Sequence, residues 1–183
     1  MDSEYPLIGF KNDCFQEFKD EISLVLWCYN CNWHCKWCSL KSIIYKKSNI
    51  INIDYLDVIK NHTEIETAVV FLGGEPTLYP QGLIDGCKLS RELNLKTKIY
   101  TNGTNLDILL YLIKEKILDA VSIDYKFYSF NIEDILNELL NFDIDIDIRI
   151  TKYPEITKFD LMKQKIEKEY PEVNLYIQKF QEF

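Results

Sequence analysis

The chain has 183 residues, enough to bury a real core, and is most simply read as one domain over 1–183. An apolar fraction of 47% and an aromatic fraction of 14% exclude a disordered chain. A net charge of −8 argues against a general binder of nucleic-acid backbones, and no stretch reaches the apolar length of a membrane span.

Residues 1–20 read as an irregular lead-in or a short hairpin, with turns at Pro6 and Gly9 and an isolated Cys14 as a bystander. Residues 21–27 read as a buried strand. The loop after it holds Cys28, Cys31, Cys35 and Cys38, the last three spaced C-x3-C-x2-C. Three thiolates from one short loop can hold three corners of a cubic iron–sulfur cluster. The fourth iron then has no cysteine and can bind a substrate, whereas electron-transfer clusters usually take four cysteines. Two other readings compete. Cys28, Cys31, Cys35 and Cys38 can surround a structural zinc, with His34 in reserve, although zinc sites usually come as two separated knuckles. A disulfide framework is the other, but nothing in the sequence indicates secretion, and the cysteines fit a reducing cytoplasm.

Residues 43–53 form a connector without period, and Asp54 caps a short helix over 55–61. Residues 67–72 are continuously apolar, as strands of parallel sheets tend to be. They end in Gly73-Gly74-Glu75-Pro76, where adjacent glycines let the backbone approach a ligand closely. The plain reading of this segment is a tight strand-to-helix turn. A helix over 80–93 puts Cys87 in the core. A strand over 96–100 ends in Thr101-Asn102-Gly103, and a helix follows over 105–116. A strand over 120–124 places Ser122, Asp124 and Lys126 on one face. After a helix over 132–141, residues 143–150 alternate: Ile144, Ile146, Ile148 and Ile150 on one face, Asp143, Asp145, Asp147 and Arg149 on the other. A helix over 157–170 stops at Pro171, a strand covers 173–177, and 178–183 is a tail. Six strands alternating with helices predict an α/β fold with a parallel sheet and right-handed crossovers. The special residues fall at the carboxyl ends of the strands, where such folds gather ligands.

The cysteine loop resembles the signature of the radical S-adenosylmethionine (SAM) superfamily. That resemblance implies a partial (β/α)6 TIM-like barrel over nearly the whole chain. It implies a [4Fe–4S] cluster on Cys31, Cys35 and Cys38, with the open iron chelating SAM and Trp37 near the adenine. Gly73-Gly74-Glu75-Pro76 resembles the GGEP motif, which implies that Gly73, Gly74 and Glu75 hold the methionine ammonium. Thr101-Asn102-Gly103, the Asp124-x-Lys126 pair and Arg149 resemble segments of the glycyl-radical enzyme activases and imply further SAM contacts. Tyr100 stands where that group often has Asp. The end, Tyr176 to Phe180, resembles that of anaerobic ribonucleotide reductase activases. The implied partners are a glycyl-radical enzyme, most closely anaerobic ribonucleotide reductase, and a flavodoxin or ferredoxin type reductant.

A second compact radical SAM group, the 7-carboxy-7-deazaguanine synthases, typically continues its cysteine loop with Asp-Thr or Asp-Ser. Cys38-Ser39-Leu40 departs from that. A zinc-binding, non-catalytic module remains the reading from a different class. His34 reads as a solvated loop residue and His62 as a surface helix end.

Overall fold

The structure is a computed structural model and describes residues 5–125, 132–153 and 159–180. Seven strands form one sheet in chain order: β1 (Leu7–Cys14), β2 (Ser23–Cys28), β3 (Ala68–Gly73), β4 (Lys96–Thr101), β5 (Ala120–Asp124), β6 (Asp145–Lys152) and β7 (Asn174–Lys179). β1 pairs antiparallel with β2, and every later pair is parallel. Among the described residues, five α-helices follow the parallel strands: α1 (Tyr55–Lys60), α2 (Pro80–Glu92), α3 (Leu106–Lys114), α4 (Ile132–Leu139) and α5 (Phe159–Glu169). This is the expected partial barrel of strand–helix units, with one strand more than the sequence predicts. β1 lies inside the stretch read as irregular. Its register shifts between Leu7 and Gly9 and again between Lys11 and Cys14. Those bulges break the two-residue period by which a strand is recognised.

The core has two parts, divided by the sheet. On the helix side, alternate strand residues such as Leu24, Leu26, Val69, Phe71, Ile99, Val121, Ile123, Ile146, Ile148 and Ile150 pack against helix residues including Leu83, Leu109, Leu112 and Leu136. The isoleucines of β6 therefore face the helices, as their alternation predicts. α1 starts where expected: the Asp54 carboxylate accepts from the Leu56 N–H at 2.9 Å. On the concave side, Val25, Ala68, Val70, Leu72 and Ala120 pack with Cys14 and Phe18 from the chain's beginning. Cys14 is thus a core residue, and the segment that carries Phe18 plugs the barrel from within.

Beside Phe18 lies a buried ion pair. Lys98 on β4 donates to Asp147 on β6 at 2.6 Å, their side chains 5% and 11% exposed. The other Asp147 oxygen accepts from the Asn174 amide at 3.1 Å, and the Lys98 ammonium lies 5.3 Å from the Phe18 ring centroid and 5.0 Å from that of Tyr100. The polar face of β6 therefore divides between solvent and the protein interior. Asp143 precedes the strand, Asp143 and Asp145 are exposed to solvent, and Asp147 is consumed by the pair. Asp147→Ala should strand the Lys98 charge and lower stability by about 3–5 kcal/mol. Urea unfolding will show this as a lower midpoint. Replacing the pair together, with Lys98→Met and Asp147→Leu, should recover most of the loss.

Candidate active site

The site forms at the carboxyl end of the sheet. Its first wall is the loop after β2, whose root is welded to the turn after β3. Gly74 N–H donates to Cys28 carbonyl at 3.0 Å, and Glu75 N–H donates to Asn30 carbonyl at 2.9 Å. A Cβ on Gly73, which sits at φ +109°, would lie 2.6 Å from the Cys28 nitrogen, and one on Gly74 would lie 1.7 Å from the Asn30 oxygen. The glycine pair is thus required by two backbones in contact, a reason that sequence reading, looking for ligand approach, does not see. Farther along, Asn30 N–H donates to the carbonyl of buried Ile44 at 2.8 Å, which returns the loop onto its own root.

The four clustered cysteines do not act as one group. Cys28 ends β2 on the helix side with Leu24 and Leu26, is fully buried, and burial pushes its thiol well above the ordinary range. Cys31, Cys35 and Cys38 instead line a cavity of about 650 Å³ on the concave side, a size suited to a cofactor or small substrate. Among the described residues, no group of three or more His, Cys, Asp or Glu side chains closes around a single ion. A cubane takes one thiolate at each of three corners, so its ligands stand farther apart than those of one ion. Three thiols along one cavity wall fit that demand. Burial raises the Cys31 thiol, the Trp33 N–H opposes this, and the nearby charges of Glu75, Cys35 and Cys38 add to it. Tyr45 supports the same loop: its hydroxyl donates to the Trp33 carbonyl and its ring stacks on exposed His34 at 4.5 Å.

The second wall carries the one buried carboxylate of the cavity lining. Glu75 is 1% exposed. Its Oε1 accepts from the Thr77 hydroxyl at 2.7 Å, the Thr101 hydroxyl at 2.8 Å and the Thr77 N–H at 3.2 Å. Among the described residues, its Oε2 accepts only from the Asn102 N–H, at 2.7 Å. Desolvation raises the Glu75 carboxyl above its ordinary value, and these bonds work against it. Oε1 is saturated, while Oε2 keeps a lone pair for a donor in the cavity. Thr101 and Asn102 line the cavity and also orient Glu75. Asp124 and Arg149 complete the lining on β5 and β6, with the Arg149 guanidinium 4.6 Å from the Tyr100 ring centroid. Tyr100 donates its hydroxyl to the Glu17 carbonyl at 2.7 Å, so the N-terminal segment forms part of this wall.

The sequence-predicted residues Cys31, Cys35, Cys38, Trp37, Gly73, Gly74, Glu75, Thr101, Asn102, Asp124 and Arg149 all meet at this cavity. Lys126 lies outside the described residues. Sequence reasoning missed Glu17, Tyr100 as a lining residue, Tyr45, Tyr153 and Phe180. Trp37 stacks on Tyr153 at 4.7 Å, and Tyr153 meets Phe180 edge-on at 4.8 Å. The aromatic excess of the chain was a signal for such contacts, but nothing in spacing pairs these rings. The weld at the loop root generates a direct test. Gly74→Ala should cost about 3 kcal/mol or more through overpacking against backbone that cannot yield. Urea unfolding and iron uptake on anaerobic reconstitution should both show the loss, while a control at Gly9, Gly9→Ala, should not, because a Cβ there meets nothing within 4 Å.

A model of the Radical SAM superfamily matches residues 25–149. A protein of Methanocaldococcus jannaschii named "Putative glycyl-radical enzyme activating enzyme MJ1227" is 32% identical over 117 residues, covering 60% of this chain and 45% of its own length. An "S-adenosylmethionine-dependent nucleotide dehydratase" of Flammeovirga pacifica is 30% identical over 99 residues, covering 51% of this chain and 34% of its own length. The chain therefore spans less than half the length of these two relatives. Among solved structures, QueE from Escherichia coli superposes with a TM-score of 0.56 at 17% identity, covering 95% of this chain and 93% of that one. At that identity the likeness is one of fold. With the matched family spanning the cysteine loop, the Gly-Gly-Glu turn and the strands up to Arg149, the chain belongs to the radical SAM superfamily, whose members use a [4Fe–4S] cluster and S-adenosylmethionine.

Proposed function

We propose that the chain is a radical SAM activase that generates a glycyl radical on a partner enzyme, anaerobic ribonucleotide reductase being the reading closest to its motifs. The observation that carries the enzyme reading is the placement of Cys31, Cys35 and Cys38 on one wall of a cavity and Glu75 on the next. The name of the Methanocaldococcus jannaschii relative supports the activase choice. Cys31, Cys35 and Cys38 would hold the cluster, which when bound supplies the electron that cleaves SAM to a hydrogen-abstracting radical. Gly73 and Gly74 fix the backbone of the turn. Glu75 offers Oε2 to the ammonium of the methionine moiety, while Thr77, Thr101 and the Asn102 N–H hold the carboxylate in place. Asp124, Arg149 and, beyond the described residues, Lys126 supply charge around the remaining polar groups. Trp37 offers a ring face to the adenine. Arg149, set over Tyr100, adds a positive charge to a lining that also carries the carboxylates of Glu75 and Asp124.

Three outcomes test this. Glu75→Gln preserves the size of the side chain but removes the charge. It should weaken SAM binding by about ten- to a hundred-fold, as expected for a charge-assisted bond of about 1.5–3 kcal/mol, and leave the cluster's visible absorbance intact. In the wild-type protein, affinity for SAM should rise with pH through the elevated Glu75 value and level off above it, because only the ionised carboxylate pairs with the ammonium. Anaerobic incubation with a glycyl-radical reductase, SAM and a reductant should give a glycyl doublet in electron paramagnetic resonance. The doublet should collapse when the backbone glycine is deuterated. Turnover of a free pterin-like or nucleotide substrate without a protein partner would overturn the activase reading in favour of a small-molecule radical SAM enzyme.

A further inference from the structure

We propose that Asn102 is a positioning residue for the cluster end of the site: its side-chain amide gives an N–H to the Cys31 sulfur and so sets the cluster's reduction potential. The inference rests on the reading of Cys31 as a cluster ligand. Asn102 follows β4 directly and is 6% exposed, so its amide must find its partners inside the protein. The orientation of that amide is fixed by chemistry. The backbone N–H of Thr104 can only donate, and it points at one atom of the amide at 3.0 Å. That atom is therefore the carbonyl oxygen, which also accepts from the Thr104 hydroxyl at 2.7 Å. The NH2 group is left facing the cysteine loop, 2.7 Å from the Asn32 carbonyl oxygen and 3.9 Å from the Cys31 sulfur.

Asn32 in turn donates to the Thr104 hydroxyl at 2.9 Å. Asn32, Thr104 and Asn102 thus form a closed ring of hydrogen bonds between the cysteine loop and the turn after β4. The same Asn102 donates its backbone N–H to Glu75, so one residue touches both the carboxylate and the sulfur. The Trp33 N–H approaches Cys31 as well, at 3.4 Å. These distances belong to a neutral thiol. A thiolate draws N–H donors closer, because charge-assisted bonds are shorter and stronger. Hydrogen bonds to ligating sulfurs are among the levers that set cluster potentials. An N–H donor stabilises the more negative, reduced cluster, and its removal moves the potential down.

The test uses the whole chain, reconstituted anaerobically with iron and sulfide, and reads the midpoint potential by titration followed with electron paramagnetic resonance. Asn102→Leu removes the donor without adding charge. Iron and sulfide content should match wild type, and the midpoint should shift to more negative potential. Thr104→Val loosens the amide without removing it and should give a smaller shift of the same sign. An unchanged midpoint in both variants at full iron content would overturn the proposal. So would an Asn102→Leu protein that folds yet takes up no iron, which would assign Asn102 to holding the loop. If Asn102→Leu does not fold, Thr104→Val decides by the same criterion. Wild-type protein that assembles no cluster would refute the underlying reading, and that result is visible before any variant is made.

Discussion

The backbone contact between Gly74 and Asn30 is the constraint on which the site depends. It brings the loop after β2 to the turn after β3 with no side chain between them. The two hydrogen bonds across it, Gly74 to Cys28 and Glu75 to Asn30, lie just past the last paired residues of β2 and β3, where Gly73 and Asn30 turn the backbone out of the strand at positive φ. The root of the cysteine loop and the Glu75 turn are therefore fixed to each other at the ends of two paired strands. A loop anchored at its root to the ends of paired strands holds its groups more closely than one built on loops alone.

From that contact the charge organisation follows. Burying Glu75 to 1% exposure costs solvation, and four donors from Thr77, Thr101 and Asn102 offset it. The donors come from the turn after β3 and from the end of β4, so the carboxylate also ties those two elements together. An uneven distribution results, with three bonds on Oε1 and one on Oε2. The free capacity of the group is directed into the cavity.

Much of this was legible in the sequence, and the parts that were not have physical reasons. The C-x3-C-x2-C spacing, the Gly-Gly-Glu-Pro turn and the Ile alternation of β6 are local signals, and all three landed in their expected places. Local spacing also offered Cys28 as a possible fourth ligand, and only the strand alternation that turns it toward Leu24 and Leu26 separates it. β1 was hidden by its bulges. The alternation of β6 puts Asp147 on the polar face but does not show its partner, Lys98, which lies 49 positions away on another strand. Glu17 and Tyr100 meet across 83 positions for the same reason of distance. Contacts of that kind are set by which strands become neighbours, and no window of sequence contains them.

The aromatic rings show how an open barrel is finished. The sheet runs from β1 to β7, and among the described residues these two strands do not pair with each other. Trp37 leaves the loop after the first parallel strand, Tyr153 follows β6, and Phe180 follows β7. The stacked and edge-on contacts of the three rings thus join the two sides of the opening at the end where the cavity lies. Side chains here do what an eighth strand would do in a closed barrel. The difference is one of strength. Aromatic contacts contribute about 0.5–1.5 kcal/mol each beyond burial, far less than a strand pairing along its whole length. Among the described residues this side of the site is therefore held by side-chain contacts, while the root of the cysteine loop is held by paired backbone.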